Sequence, residues 1–189
     1  MHTLIRFYDF VVSLITSIAG TWLLPTLARF TFAATLLIYY WNSAWLKLGD
    51  GIFGLFSPSV GAYAQIFPKA MEAVSYDIGQ LSWFHWLVVV AGTTAEFVLP
   101  ALIVLGLFTR LASIGMIGFI TVQSLTDLYG HGGIEQPETL GAWFDRFPDS
   151  VILDQRLFWI SILVILIIKG AGPISLDRIL IGTTRQDRL

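Results

Sequence analysis

Residues 87–108 read LVVVAGTTAEFVLPALIVLGLF, and Glu96 is their only charged side chain. Twenty-two residues at ~1.5 Å rise make a helix about 33 Å long, enough to cross a ~30 Å hydrocarbon core. Glu96 then stands near mid-membrane. An ionised carboxylate there costs several kcal/mol unless it is paired, hydrated or protonated. A chain that accepts this cost in its cleanest apolar run marks Glu96 as the first place to look for function.

Composition supports the membrane reading. Mean hydropathy is +0.74, and 13% of residues are charged against 56% hydrophobic, where soluble domains carry about 25% charged residues. Seven Trp, six Tyr and fourteen Phe suit a chain with many positions at the lipid–water boundary. Cysteine is absent, which excludes thiol–disulfide chemistry, thiolate zinc sites and cysteine-held iron–sulfur clusters within the chain. The net charge is −2, and no nucleic-acid partner is expected.

The pattern predicts an all-α, integral membrane four-helix bundle in one domain over 1–189. Its spans lie at about 26–46, 82–108, 111–129 and 151–171. Residues 3–18 are amphipathic, with Arg6, Asp9, Ser13 and Ser17 at roughly helical spacing. They predict a helix lying in the interface, separated from the first span by Gly20 and Pro25. No small-residue cleavage site follows cleanly, so this stretch does not read as a secretory signal. The long connection 49–81 predicts a short amphipathic helix near 63–76.

Lysine and arginine placement sets the expected orientation. With the N-terminus inside, Arg6, Arg29, Arg110, Lys169, Arg178, Arg185 and Arg188 fall on the cytoplasmic side. Lys47, Lys69, Arg146 and Arg156 fall outside, so positive charge favours both termini being cytoplasmic. The external loops are acidic, carrying Asp50, Glu72, Asp77, Glu135, Glu138, Asp145 and Asp149.

Three spans carry polar or small-residue stripes at helical spacing. They are Thr31, Thr35, Tyr39 and Asn42; His85, Gly92 and Glu96; and Gly115, Gly118, Thr121, Ser124 and Asp127, with Gln123 alongside. Hydrocarbon cannot satisfy their hydrogen bonds, so the stripes are expected to turn inward. For Thr31, Thr35, Gly115 and Gly118 the alternative is plain helix packing. Glu96 could also be structural, protonated and bonded to Gln123 or Tyr39. Pro100 lacks the N–H that would bond the Glu96 carbonyl, which predicts either a polar pocket or a simple kink. Candidate ligand-binding residues are Tyr39, Asn42, Glu96 and Gln123, with Trp41 as a wall and Glu96 handling protons. His85 and His131 are weak candidates for a metal or haem site; lone loop histidines otherwise read as surface residues.

Gly106-Leu107-Phe108-Thr109-Arg110-Leu111-Ala112 follows the span that bears the mid-helix Glu. Gly170-Ala171-Gly172-Pro173-Ile174-Ser175-Leu176-Asp177 closes the last span, and Trp45-Leu46-Lys47-Leu48-Gly49 ends the first. Together these resemble the DoxX family of small four-helix membrane proteins, in a longer subgroup, over about residues 26–180. The resemblance implies the bacterial inner membrane. It implies a link to redox or oxidative-stress complexes, because the family's namesake is similar to the small membrane subunit of an archaeal thiosulfate:quinone oxidoreductase. The motif positions map onto Glu96, Arg110, Gly170, Gly172, Ser175 and Asp177. The implied function is a membrane subunit serving redox chemistry, with soluble or membrane redox proteins as partners. A quinone held between helices as its ligand is an expectation from residue type and depth at Tyr39, Trp41, Asn42, Glu96 and Gln123. The alternatives are a non-enzymatic anchor or assembly partner, and a small-solute or metal transporter.

Overall fold

The computed structural model describes residues 2–180. Arg185 and Arg188, counted above for orientation, lie outside the described residues. The described chain is all-helical, with no strand. Helix α1 contains Leu4–Lys47; α2 is Val60–Ile66; α3 is Pro68–Ala73; α4 is Trp83–Leu105; α5 is Thr109–Gly130; α6 is Pro137–Leu140; α7 is Val151–Lys169. Among the described residues, α1, α4, α5 and α7 are long and apolar enough to cross a membrane.

These four helices pack as a closed ring, α1 against α4, α4 against α5, α5 against α7, and α7 back against α1. The shared core holds Phe32, Leu36 and Tyr40 from α1, Ile103 from α4, Met116 and Ile120 from α5, and Leu163 and Leu166 from α7. Helices α2 and α3 form a separate patch on α4, where Ala62, Tyr63 and Met71 meet Val89. Against lipid, such cores are held by close packing rather than by escape from water.

Three boundaries differ from expectation. Gly20 and Pro25 do not break the first helix; Leu4–Lys47 is one helix of 44 residues. A wide turn with longer-range hydrogen bonding occupies Ala19–Leu23, and Pro25 falls in the first turn of the next regular segment. There its missing N–H interrupts no regular helical bond. At ~1.5 Å per residue this helix is about 66 Å long, twice a hydrocarbon core. Second, the single helix expected at 63–76 is two helices. Pro68 disfavours helical backbone in Phe67, which adopts φ −127° and ψ 58°. Third, residues 106–108 are a turn. Gly106 has φ 69° and ends α4; a side chain there would bring its Cβ to 2.6 Å from Ser175 Cβ.

The closing motif latches this turn. The Asp177 carboxylate accepts from the N–H groups of Phe108 (2.7 Å) and Thr109 (3.0 Å), capping α5 from outside its own sequence. The Asp177 N–H donates to the Gly106 carbonyl. Arg29 of α1 donates to the carbonyls of Ile103 and Val104 at the end of α4, and to those of Ala171 and Ile174 beyond α7. One guanidinium thus ties two helix ends to the middle of α1. Asp177→Ala is expected to cost about 1–2 kcal/mol, the worth of a lost N-cap. Detergent unfolding reads the loss, and amide exchange should localise it to Phe108 and Thr109.

Candidate functional site

Glu96 is paired. Lys47 Nζ donates to both carboxylate oxygens, at 3.0 Å and 2.9 Å. The two side chains are 3% and 6% exposed, so the pair is buried. Ser43 stands one turn before Lys47 on α1 and accepts its third N–H at 2.7 Å. The Ser43 hydroxyl in turn donates to Glu96 Oε1 at 3.3 Å. An isolated charge would be intolerable here; a charge with an opposite partner and filled hydrogen bonds is not. Lys47 is the only cation in residues 30–68, and placing it in the external loop hid this role.

A second, half-buried pair joins α5 to α7. Arg156 is expected from sequence at the interface, yet it is 4% exposed. It donates to Asp127 Oδ2 at 3.0 Å and to Gln123 Oε1 at 3.1 Å, and its guanidinium lies 4.3 Å from the Trp159 ring centroid. Gln123 is the hub. Its oxygen also accepts from the Tyr40 hydroxyl at 3.4 Å, and its amide donates to the Tyr39 hydroxyl at 3.1 Å. Arg156 Nε is buried without a hydrogen-bond partner.

Between α4 and α5 lies a cavity of about 390 Å³, within the range of small-molecule sites. Lys47, Glu96, Gln123 and Asp127 supply its polar edge. Its walls are apolar and cut back, with Ala91, Gly92 and Ala95 on α4 and Gly115 and Gly118 on α5. Gln65 and Ile66 of α2 form one side, and the Gln65 carbonyl is hydrogen-bonded to His131 at 2.9 Å. At Gly118 an added Cβ would meet nothing within 4 Å. That glycine leaves room rather than letting helices touch, whereas Gly115 does lie close to Leu99. The result is a slot walled by hydrocarbon with hydrogen-bond donors and a carboxylate at one side.

The expected site is only partly brought together. Glu96 and Gln123 line the cavity. Tyr39 is 45% exposed and reaches it only through Gln123. Asn42 is exposed and does not line the cavity. The stripe Thr31, Thr35, Tyr39 and Asn42 does not turn inward as expected; its neighbour Phe32, Leu36, Tyr40 and Lys47 does. The reason is local. The Thr35 hydroxyl donates to the Thr31 carbonyl at 2.7 Å, so it needs no partner across the bundle. Thr121 and Ser124 are satisfied the same way, by Ile117 and Ile120. Glu96 bonds Lys47 and Ser43 rather than Gln123 or Tyr39. Near Pro100, Trp41 donates to the Phe97 carbonyl at 3.1 Å.

His85 is bonded to Ser82 at 2.9 Å and edges onto Phe67, while His131 meets Gln65. Neither belongs to a group of three potential metal ligands among the described residues. Arg110 bonds a helix-end carbonyl, that of Ile168, at 3.3 Å. Sequence reasoning missed Lys47, Ser43, Tyr40 and Arg156. Two signals were present: Ser43 and Lys47 are one turn apart, and so are Gln123 and Asp127.

Comparison with protein-family models, with curated proteins and with solved structures finds no match to the chain.

Proposed function

We propose that the chain is a multi-pass protein of the bacterial inner membrane, DoxX-like, with both termini cytoplasmic, that serves redox chemistry by holding a quinone between α4 and α5. One observation carries the reading: a slot of about 390 Å³ has hydrocarbon walls and a buried Lys47–Glu96 pair at its edge. A flat lipid-soluble ring with two carbonyls needs such walls and a donor aimed at a carbonyl oxygen. Gln123, whose amide keeps one N–H beyond the one given to Tyr39, orients the ring, and Glu96 gives or takes the proton that must accompany an electron. Bound there, the quinone supplies two-electron chemistry. With no cysteine in the chain, a partner protein delivers the electrons.

Glu96→Gln keeps the side-chain volume and can still accept from Lys47, but it cannot carry the proton. It also leaves Lys47 without a counter-charge, so the rate is taken per inserted, folded chain. Quinone reduction in membranes holding the full chain is expected to fall about 100-fold or more, with quinone still retained. A wild-type rate in this variant removes Glu96 from the mechanism.

A second reading, a membrane anchor for other proteins, draws on the N-terminal part of α1. Leu4, Phe7, Tyr8, Phe10 and Ile15 are all exposed there. Gentle extraction followed by pull-down separates the readings: a stable complex that carries no quinone favours the anchor.

A further inference from the structure

We propose that the opposite end of the bundle binds the phosphate-bearing headgroup of an anionic lipid; this rests on the membrane reading above. A cavity of about 670 Å³ opens there, between the start of α5, the end of α7 and the closing loop. Arg110, Lys169 and Arg178 line it, and all three are exposed. The ion pairs among the described residues are Lys47–Glu96 and Arg156–Asp127, so no carboxylate neutralises these cations.

One acid, Asp177, also lines the cavity. Its two oxygens are taken by the Phe108 and Thr109 N–H groups at 2.7 Å and 3.0 Å, so it is held on the backbone. Three cations against one carboxylate leave a formal charge of +2 on the lining. Arg110 spends one N–H on the Ile168 carbonyl, which fixes its guanidinium while leaving other donors. Gly170, at φ 79°, takes the left-handed backbone that ends α7 beside this guanidinium.

The surroundings distinguish a lipid from free phosphate. Phe108 and Leu111 line the cavity with the cations and are 60% and 69% exposed. A free ion gains nothing from that apolar rim. A lipid uses both, with its phosphate on the cations and its acyl chains along the helix flank.

The test uses the full chain inserted in nanodiscs, with retained lipid measured by native mass spectrometry. Dioleoylphosphatidylglycerol is the probe, dioleoylphosphatidylcholine the uncharged-net control, and inorganic phosphate the competitor. Preferential retention of the anionic lipid is expected, falling about fivefold per cation removed. The double variant Lys169→Gln, Arg178→Gln should therefore lose roughly 25-fold of the preference, and Arg178→Gln alone about fivefold should the double variant fail to insert. Equal retention of the two lipids, or an unchanged preference in either variant, overturns the site. Displacement of lipid by millimolar phosphate, with no preference between lipids, overturns the lipid assignment in favour of a free anion. A chain that stays in water without detergent fails the membrane reading itself. Insertion without lipid preference fails only this inference.

Discussion

Lys47→Met is expected to destabilise the folded bundle by about 3–5 kcal/mol, because it leaves the buried Glu96 carboxylate without its counter-charge. Ser43 alone remains to bond the carboxylate, at 3.3 Å. The expected loss belongs to the uncompensated charge and not to the pair. Replacing both partners, Lys47→Met with Glu96→Gln, should therefore recover most of it. Unfolding in mixed detergent, or steric trapping in bicelles, reads the difference. A single variant within about 1 kcal/mol of wild type would mean that Glu96 does not depend on Lys47.

The second large effect is expected from Arg156→Met. It removes the partner of Asp127, one of two donors to Gln123 Oε1, and the cation stacked on Trp159. Asp127 is 33% exposed at its side chain, so water can take up part of the lost interaction. The expected cost is about 2–3 kcal/mol, below that of a fully buried pair. Arg156→Lys should recover only part of this. A single ammonium lacks the planar fork that reaches Gln123 and Asp127 together. Full recovery by lysine would show that charge alone matters there.

Glu96 was legible because one carboxylate in a long apolar run has to be explained. The helices were legible for the same reason of periodicity and length. The rotation of α1 was not. The inward stripe of Phe32, Leu36 and Tyr40 lies one residue from the outward stripe of Thr31, Thr35 and Tyr39, and hydroxyl groups that bond their own helix carry no inward bias. Asn42 was lost with that rotation. Lys47 was read as a loop charge because it sits at the end of its helix, and only the tertiary fold brings α4 beside it. The role of Asp177 was equally hidden, since its partners Phe108 and Thr109 lie 69 and 68 residues away. Gly20 and Pro25 looked like a stop, but a wide turn absorbs both.

Lys47–Glu96 and Arg156–Asp127 carry two positive and two negative charges, so the interior is formally neutral. A ligand reaching Glu96 competes with Lys47 for the same oxygens. On the proposed reading, that competition would couple occupancy of the slot to the α1–α4 contact.

We propose that the slot between α4 and α5 is a ligand site and not a packing gap. Equilibrium dialysis of the purified full chain against a short-chain quinone tests it most directly, with Gly118→Leu as the probe variant. Gly118 faces open space, so the added side chain can enter the slot with little strain on its neighbours. Saturable binding by the wild type, weakened at least about tenfold in Gly118→Leu while helical content and unfolding midpoint hold, is the expected result. Equal binding by both proteins, or no saturable binding by the wild type, would contradict the account.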